Sequence, residues 1–283
     1  MTISLGAVLR PQLPPERLRS AVRLADEEGL DELWLWEDCF LQGGLTAAAA
    51  ALAWTDRVRI GVGLLPVPLR NVALTAMETA ALHRMFPGRV SLAIGHGVQD
   101  WMAQVGARPD SPLTLLGEYT TALRALLNGE RVTSKGTYVT LDDVALGWPP
   151  QTRAEILVGG IGPRTLRLAT RIADGTVLNE SATPERVREI RAAAEKQSTG
   201  PHRVVVYLVA ATGEDAHARL ARELDTLGLT GVGVAGDAAT VAAEVRRYAD
   251  AGADTVVLLP TPDDPDPEGF LRFTAREVRP LVP

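Results

Sequence analysis

Short apolar runs alternate with segments of helical periodicity from one end of the chain to the other. Continuous β-branched or leucine-rich runs predict strands at Ile3–Leu9, Leu33–Trp36, Val58–Leu64, Val90–Ile94, Ile156–Val158, Thr176–Leu178, Val204–Ala210 and Thr255–Leu259. Apolar positions three and four apart predict helices over Pro15–Glu28, Thr46–Trp54, Val72–Met85, Leu113–Asn128, Arg164–Ile172, Pro184–Gln197, Asp215–Leu227, Ala238–Ala251 and Pro267–Val278. Gly29 closes the first of these helices, and the PGR run at Pro87–Arg89 closes the third. Most of the strands lack polar alternation, the pattern of parallel strands covered by helices. Eight strand–helix units in ~250 residues predict an α/β fold, a (β/α)8 TIM barrel. A doubly wound open sheet is the alternative. A single domain is expected over 1–283. The irregular stretch at about 97–150, with an extended excursion Thr133–Leu146 around Lys135-Gly136, follows the fourth strand. It is expected as an insertion over the carboxyl-terminal face, where barrel active sites are built.

The composition removes several classes of function. The chain has 283 residues, 46% of them hydrophobic, and a net charge of −6. It carries no basic footprint for nucleic acid. Its single cysteine, Cys39, allows no internal disulfide and no cysteine zinc cage, and fits a reducing, cytoplasmic setting. The amino-terminal stretch MTISLGAVLRPQ lacks a basic segment followed by a long apolar core, so no signal peptide is expected. The longest apolar run, Leu45–Trp54, is much shorter than the ~20 residues a spanning helix needs, so no membrane role is expected.

In a barrel the chemistry is read just after each strand. Those positions hold Arg10, Glu37-Asp38-Cys39, Leu65-Pro66, Gly95-His96-Gly97, Gly159-Gly160, Asn179-Glu180, Ala211-Thr212 and Pro260. They offer neither paired histidines for a metal nor a Ser–His–Asp spacing, so no metal is expected. A mostly apolar mouth with glycine openings suits a flat, bulky ligand better than a hydrolytic site. The stretch ILVGGIGPRTLRLA (Ile156–Ala169) adds two readings. Gly159, Gly160 and Gly162 let the backbone approach a ligand, Pro163 suits the first helical position, and Arg164 supplies a charged donor for an anion. Equally, the glycines serve only to make the turn.

His96, between two glycines, is the leading candidate for a polar group that moves a proton near neutrality; its alternative is a structural hydrogen bond to the insertion. Cys39 reads either as a weak proton donor or as a small apolar filler. Asp38 reads as a ligand-binding group or as a cap on the segment that follows. Trp34, Trp36 and Trp54 read as core and interface packing. Trp101 and Trp148, in or beside the insertion, read as walls of an apolar substrate pocket together with Arg10. His83, His202 and His217 show no constellation.

Four stretches, in order, resemble one superfamily: DELWLWEDCF (Asp31–Phe40), TDRVRIGVGLLPVPLRNVALTAMETAALHRMFPGRVSLAIGHG (Thr55–Gly97), ILVGGIGPRTLRLATRIADGTVLN (Ile156–Asn179) and GVAGDAATVAAEVRRYADAGADTVVL (Gly233–Leu258). The chain resembles the bacterial-luciferase-like oxidoreductases, and within them the deazaflavin-dependent branch that includes methylenetetrahydromethanopterin reductase. The resemblance implies a TIM barrel holding coenzyme F420, or alternatively FMN, at its carboxyl-terminal face. It implies that a bulge after the third strand, often with a non-prolyl cis peptide, backs the flat ring; Leu64, Leu65 and Pro66 match it. Asp38 matches an aspartate near the ring, and Gly159 and Gly160 match the loop on the cofactor phosphate. The neighbouring Gly95, Gly97, Gly162, Pro163, Arg164 and Asn179 are grouped with these as cofactor-binding positions, and pairing through helices near strands two to four implies a homodimer.

The departures from the pattern matter as much. Cys39 stands where the family often has histidine, Gly43 and Gly44 stand where the sugar-phosphate dehydrogenases carry tryptophan, and Val98 stands where they carry glutamate. Their catalytic scheme does not transfer, and a sugar-phosphate substrate is not expected. The expectation is an F420-dependent oxidoreductase passing a hydride to or from a small organic substrate. An FMN-dependent monooxygenase and a non-catalytic flavin-binding protein are the rivals. A lysine-dependent aldolase is set aside, because Lys135 and Lys196 are the only lysines and neither sits at a strand end.

Overall fold

The computed structural model describes residues 3–197 and 200–283; of the stretches read above, only the first two residues of the amino terminus and residues 198 and 199 of the single-domain span lie outside it. The strands are β1 (Ser4–Leu9), β2 (Glu32–Leu35), β3 (Arg59–Pro66), β4 (Val90–Gly95), β5 (Val132–Lys135), β6 (Thr140–Val144), β7 (Ile156–Gly159), β8 (Gly175–Leu178), β9 (Arg203–Ala211), β10 (Val234–Ala235) and β11 (Thr255–Pro260). The helices are α1 (Leu18–Glu27), α2 (Gly44–Ala53), α3 (Val72–Met85), α4 (Gln99–Gln104), α5 (Pro112–Leu127), α6 (Pro163–Ile172), α7 (Pro184–Gln197), α8 (Ala216–Leu227), α9 (Ala238–Asp250) and α10 (Pro267–Arg272). Among the described residues, no helix is long and apolar enough to cross a membrane.

Eight strands close on themselves in the order β1-β2-β3-β4-β7-β8-β9-β11, with β11 pairing back to β1, and every pairing in the ring is parallel. This is the expected (β/α)8 barrel, and closure removes the free edges of an open sheet. The two-residue β10 is too short to show in the sequence pattern. It extends the β8 side of β9, pairing at Ala210 and Ala211 after β8 has stopped at the level of Val206.

Strand alternation sorts the apolar residues into two cores. Leu33, Leu35, Ile60, Leu92, Ile94, Ile156 and Val158 pack outward against the helices. Val8, Trp34, Ala93, Leu157, Val205, Tyr207 and Val257 fill the barrel. Trp34 is fully buried there, and a Cβ on Gly61 would stand 2.3 Å from its ring, so the glycine is what admits the indole. Trp34 Nε1 donates to Glu32 at 3.0 Å. Glu32 also pairs with Arg203, whose guanidinium reaches Ser91 at 3.1 Å and Thr255 at 2.8 Å. A saturated polar layer therefore closes the barrel beneath the tryptophan.

The stretch after β4 differs in part from the expected insertion. Helix α5 packs between α3 and α6 as a regular member of the outer ring, with Tyr119 Oη donating to Thr75 Oγ1 at 2.6 Å. The β5–β6 hairpin lies along its flank, where Glu118 accepts the backbone N–H groups of Thr137, Tyr138 and Val139 at 2.8–3.0 Å. What reaches over the strand ends is the shorter segment from His96 to Pro112, carrying α4.

Candidate active site

The carboxyl ends of β2, β3, β4, β7 and β8 converge on a cavity of about 500 Å3. Its wall runs through Trp36–Asp38, Leu64 and Pro66, His96–Gln99 with Trp101, Gly159–Gly162 with Thr165, and Asn179–Glu180, with Tyr207 at the base. A second cavity of about 530 Å3, between Val67–Val72, Gly106–Asp110 and the hairpin at Tyr138–Thr140, borders the end of β3 alone. The convergence of five strands selects the first.

The wall built by β3 is irregular. Pairing with β4 slips between Val62 and Leu65, and the Gly63–Leu64 peptide is cis without proline. The slip turns Leu64 into the cavity, while Leu65 joins the outer core, 1% exposed. Tyr207 Oη donates to the Gly63 carbonyl at 3.0 Å, fixing the bulge from below. Its own ring packs edge-on against Trp34 and tilted against Trp36, with centroids 6.0 and 5.5 Å away.

The neighbouring glycines have a packing use in the structure. A Cβ on Gly95 would meet Leu64 Cδ2 at 2.7 Å, and a Cβ on Gly159 would meet the same atom at 2.6 Å. Both open a seat for Leu64. A Cβ on Gly160 would lie 2.4 Å from Thr165 Cγ2, and one on Gly97, at φ +67°, 2.7 Å from Pro66. Of this group only Gly162 faces open space. It precedes Pro163 at the start of α6, and no side chain caps that helix. Its free N–H groups therefore border the cavity at Thr165. Arg164 beside them is exposed and makes no hydrogen bond or ion pair with the described residues. A helix end in this state is a ready anion site.

The titratable groups are tuned by burial. His96 Nε2 shares a 2.8 Å hydrogen bond with Thr165 Oγ1, and its Nδ1 is buried with no partner of good geometry among the described residues. Burial pushes its pKa down, against a weaker opposing pull from the Pro112 backbone, so the ring is held toward its neutral form. Asp38 is pushed up by burial, with Arg10 opposing and Glu180 adding to the rise. Cys39 is also pushed up, first by burial and then by Glu37 and Asp38. It is a thiol outside the cavity lining, not a thiolate facing it. Glu37, beside it, is held by Arg70 Nη2 at 2.6 Å and by the Gly44 N–H at 2.6 Å.

Several expected residues stand elsewhere. Arg10 is drawn away from the lining by Glu223 at 2.8 Å and by the Pro260 carbonyl at 2.6 Å. Trp148 is 74% exposed. It lies 5.1 Å from the Arg84 guanidinium at the far end of α3, because the chain beyond α5 has already returned toward the start of β7. Trp101 does line the cavity, and so does Trp36, which the sequence pattern assigned to packing. Tyr207 and Thr165 were missed. Tyr207 shares its inward parity with Val205 and Val209, a signal present in the sequence; nothing local marks Thr165.

A parallel barrel with an apolar cavity at its strand ends, a bulged third strand and an uncapped helix start has the shape and the donors to suit a flat, phosphate-bearing ligand. The sequence profile described as luciferase-like monooxygenase matches residues 3–230, and the chain belongs to this family of oxidoreductases. It is 28% identical to 5,10-methylenetetrahydromethanopterin reductase of Methanolobus tindarius over 78% of this chain and 68% of that one. It is 32% identical to F420-dependent glucose-6-phosphate dehydrogenase of Microbacterium testaceum over 62% of this chain, spanning only 55% of that protein. The fold superposes on an F420-dependent secondary alcohol dehydrogenase, solved with an F420–acetone adduct, with a TM-score of 0.85 at 21% identity over the whole of both chains.

Proposed function

We propose that this chain is an F420-dependent oxidoreductase acting on a small organic substrate, as a homodimer in the cytoplasm. The observation that carries the proposal is the pairing, across one cavity, of a bulged wall bearing Leu64 with the uncapped start of α6. The residues present suit the cofactor. Leu64 in its glycine seat offers one apolar face to a flat ring, with Pro66 and Gly97 beside it and Asp38 and Asn179 at the rim. The free N–H groups at the start of α6, with Gly159–Gly162 leading into them and Arg164 alongside, suit a phosphate. A bound deazaflavin would supply the hydride chemistry, which asks of the protein mainly position and a dry surround. Trp36 and Trp101 give the substrate apolar walls, the His96–Pro112 segment shields it from water, and His96, anchored by Thr165 and held toward neutrality by burial, is the wall's group for holding or accepting a proton. Relatives named as F420-dependent enzymes support this choice of cofactor.

The test is a fluorescence titration of the purified protein with F420 and separately with FMN. Tight binding of F420 alone is expected. A preference for FMN would replace this reading with an oxygen-using one, the alternative that the family description favours. Binding without turnover of any carbonyl or enone substrate would leave a non-catalytic flavin carrier. Binding of neither would refute the assignment. Size-exclusion chromatography with light scattering checks the dimer.

A further inference from the structure

The acids around the carboxyl-terminal face fall into two groups. Glu37 is paired with Arg70 at 2.6 Å, Glu223 with Arg10 at 2.8 Å, and Asp264 with Arg219 at 2.8 Å. Asp38 and Glu180 have no such partner. Both line the cavity, both are half-buried, and neither carboxylate forms a hydrogen bond or ion pair with any described residue. Their mutual repulsion is felt at Asp38, where Glu180 adds to the effect of burial.

No lysine or arginine belongs to the cavity wall. Arg10, outside the wall, has its Nε and Nη2 committed to Pro260 and Glu223 and its Cζ 5.8 Å from the Trp36 ring centroid, and Arg164 stands apart at the start of α6. The one histidine in the wall, His96, is held toward neutrality by burial. Glu180 thus faces a largely apolar chamber with no ion pair among the described residues, and Asp38 beside it feels Arg10 only as an opposing pull weaker than burial, without an ion pair. Half-burial of unpaired charge is costly unless a partner arrives, and here the open space in front of the charges is where a ligand sits.

We infer that the substrate of this site is an organic cation, an amine or iminium nitrogen held against Glu180 and Asp38 with its carbon frame against Trp101. The inference rests on the cavity being the substrate chamber proposed above and deepens that proposal by assigning charge. The tryptophan face adds a second attraction for a cation that it does not offer to a neutral molecule. The same charges repel a substrate carboxylate or phosphate ester placed against them, while the start of α6 stays open to the cofactor phosphate. This gives a positive reason, beyond the missing family residues, for a sugar phosphate to be excluded.

Isothermal titration calorimetry with three probes of similar size, benzylammonium, benzyl alcohol and benzoate, tests this on the full chain with and without saturating oxidised F420. Benzylammonium is expected to bind on the order of tenfold more tightly than benzyl alcohol, the equivalent of one half-buried ion pair, and benzoate more weakly than either. Glu180→Gln is expected to remove most of that tenfold advantage while leaving benzyl alcohol unchanged. Asp38→Asn is expected to remove a smaller part. Raising the salt concentration should weaken only the cation. Equal binding of cation and alcohol, or a preference that survives both substitutions, would overturn the inference. Thermal melts confirm that the variants fold. Failure of F420 to bind the same preparations strikes the cofactor assignment alone, so the two failures are distinguishable.

Discussion

Gly159→Ala tests whether the glycines at the strand ends exist for the ligand or for Leu64. Gly159 does not have a left-handed φ, so alanine meets no backbone penalty there. The added methyl would lie 2.6 Å from Leu64 Cδ2, against a normal carbon–carbon contact of roughly 3.5–4.0 Å. One of the two groups must therefore move by about 1 Å. On the other side Leu64 already fills the space a Gly95 side chain would take, so the ready direction of movement is into the cavity. Overpacking of this kind costs about 1–3 kcal/mol. With Leu64→Ala already in place the clash is gone, and the other neighbours of the new methyl, at 3.8 Å, are in ordinary contact. Gly159→Ala should then stabilise by about 0.4–1 kcal/mol through the lost freedom of the unfolded chain. The sign of the substitution should reverse between the two backgrounds. Urea denaturation of the four proteins, followed by tryptophan fluorescence and compared at midpoints with a shared slope, measures it. The single variant should also bind F420 less tightly, since Leu64 has been pushed into the ring's space. An equal cost in both backgrounds would refute the seat and return the glycine to a direct role beside the ligand.

Other measurements follow from the same geometry. Tyr207→Phe keeps the ring packing with Trp34 and Trp36 but strands the buried Gly63 carbonyl, at a cost of about 1–3 kcal/mol; calorimetry should show the melting temperature lowered by roughly 2–5 °C for a chain of this length. His83, His96 and His202 are all pushed below the ordinary value of 6.5 by burial. The unfolded chain therefore takes up their protons first. Stability should be complete above about pH 7 and fall as the pH drops through 6.5 and below. Urea midpoints from pH 8 to 5 should show that slope, and His96→Gln should flatten it; a flat wild-type profile would show the rings to be solvated. Trp148→Ala should leave substrate affinity and turnover unchanged, whereas Trp101→Ala should weaken substrate binding, and steady-state kinetics on both variants separates the two positions.

The barrel was legible because its signal is repeated. Apolar runs at Leu33, Val58, Val90, Ile156 and Val204 each say the same thing about a strand buried on both faces, and one misplaced boundary does not alter the sum. The site was legible only where position along a strand decides it, as for His96, Asp38 and Asn179 directly after their strands. It was misread where packing decides. Nothing in the sequence distinguishes a glycine opened for Leu64 from one opened for a ligand. The arginine at the end of β1 could not be known to face Glu223, 213 residues away. Trp148 was placed at the mouth because the helix before it was counted as part of an insertion. Once Leu113–Leu127 is a ring helix, the chain beyond it runs toward the opposite end of the barrel, and the tryptophan goes with it.

The closed floor of the barrel governs traffic. With Trp34 across the axis and Arg203 locked to Glu32 beneath it, molecules reach the chamber only from the strand-end mouth. On the proposed reading, a cofactor lying on Leu64 and a substrate lying on Trp101 would share that doorway, and whichever settled nearer the floor would leave last. Arrival and departure therefore have an order built in by architecture, and an excess of substrate stored above the ring would slow the exchange of the cofactor below it.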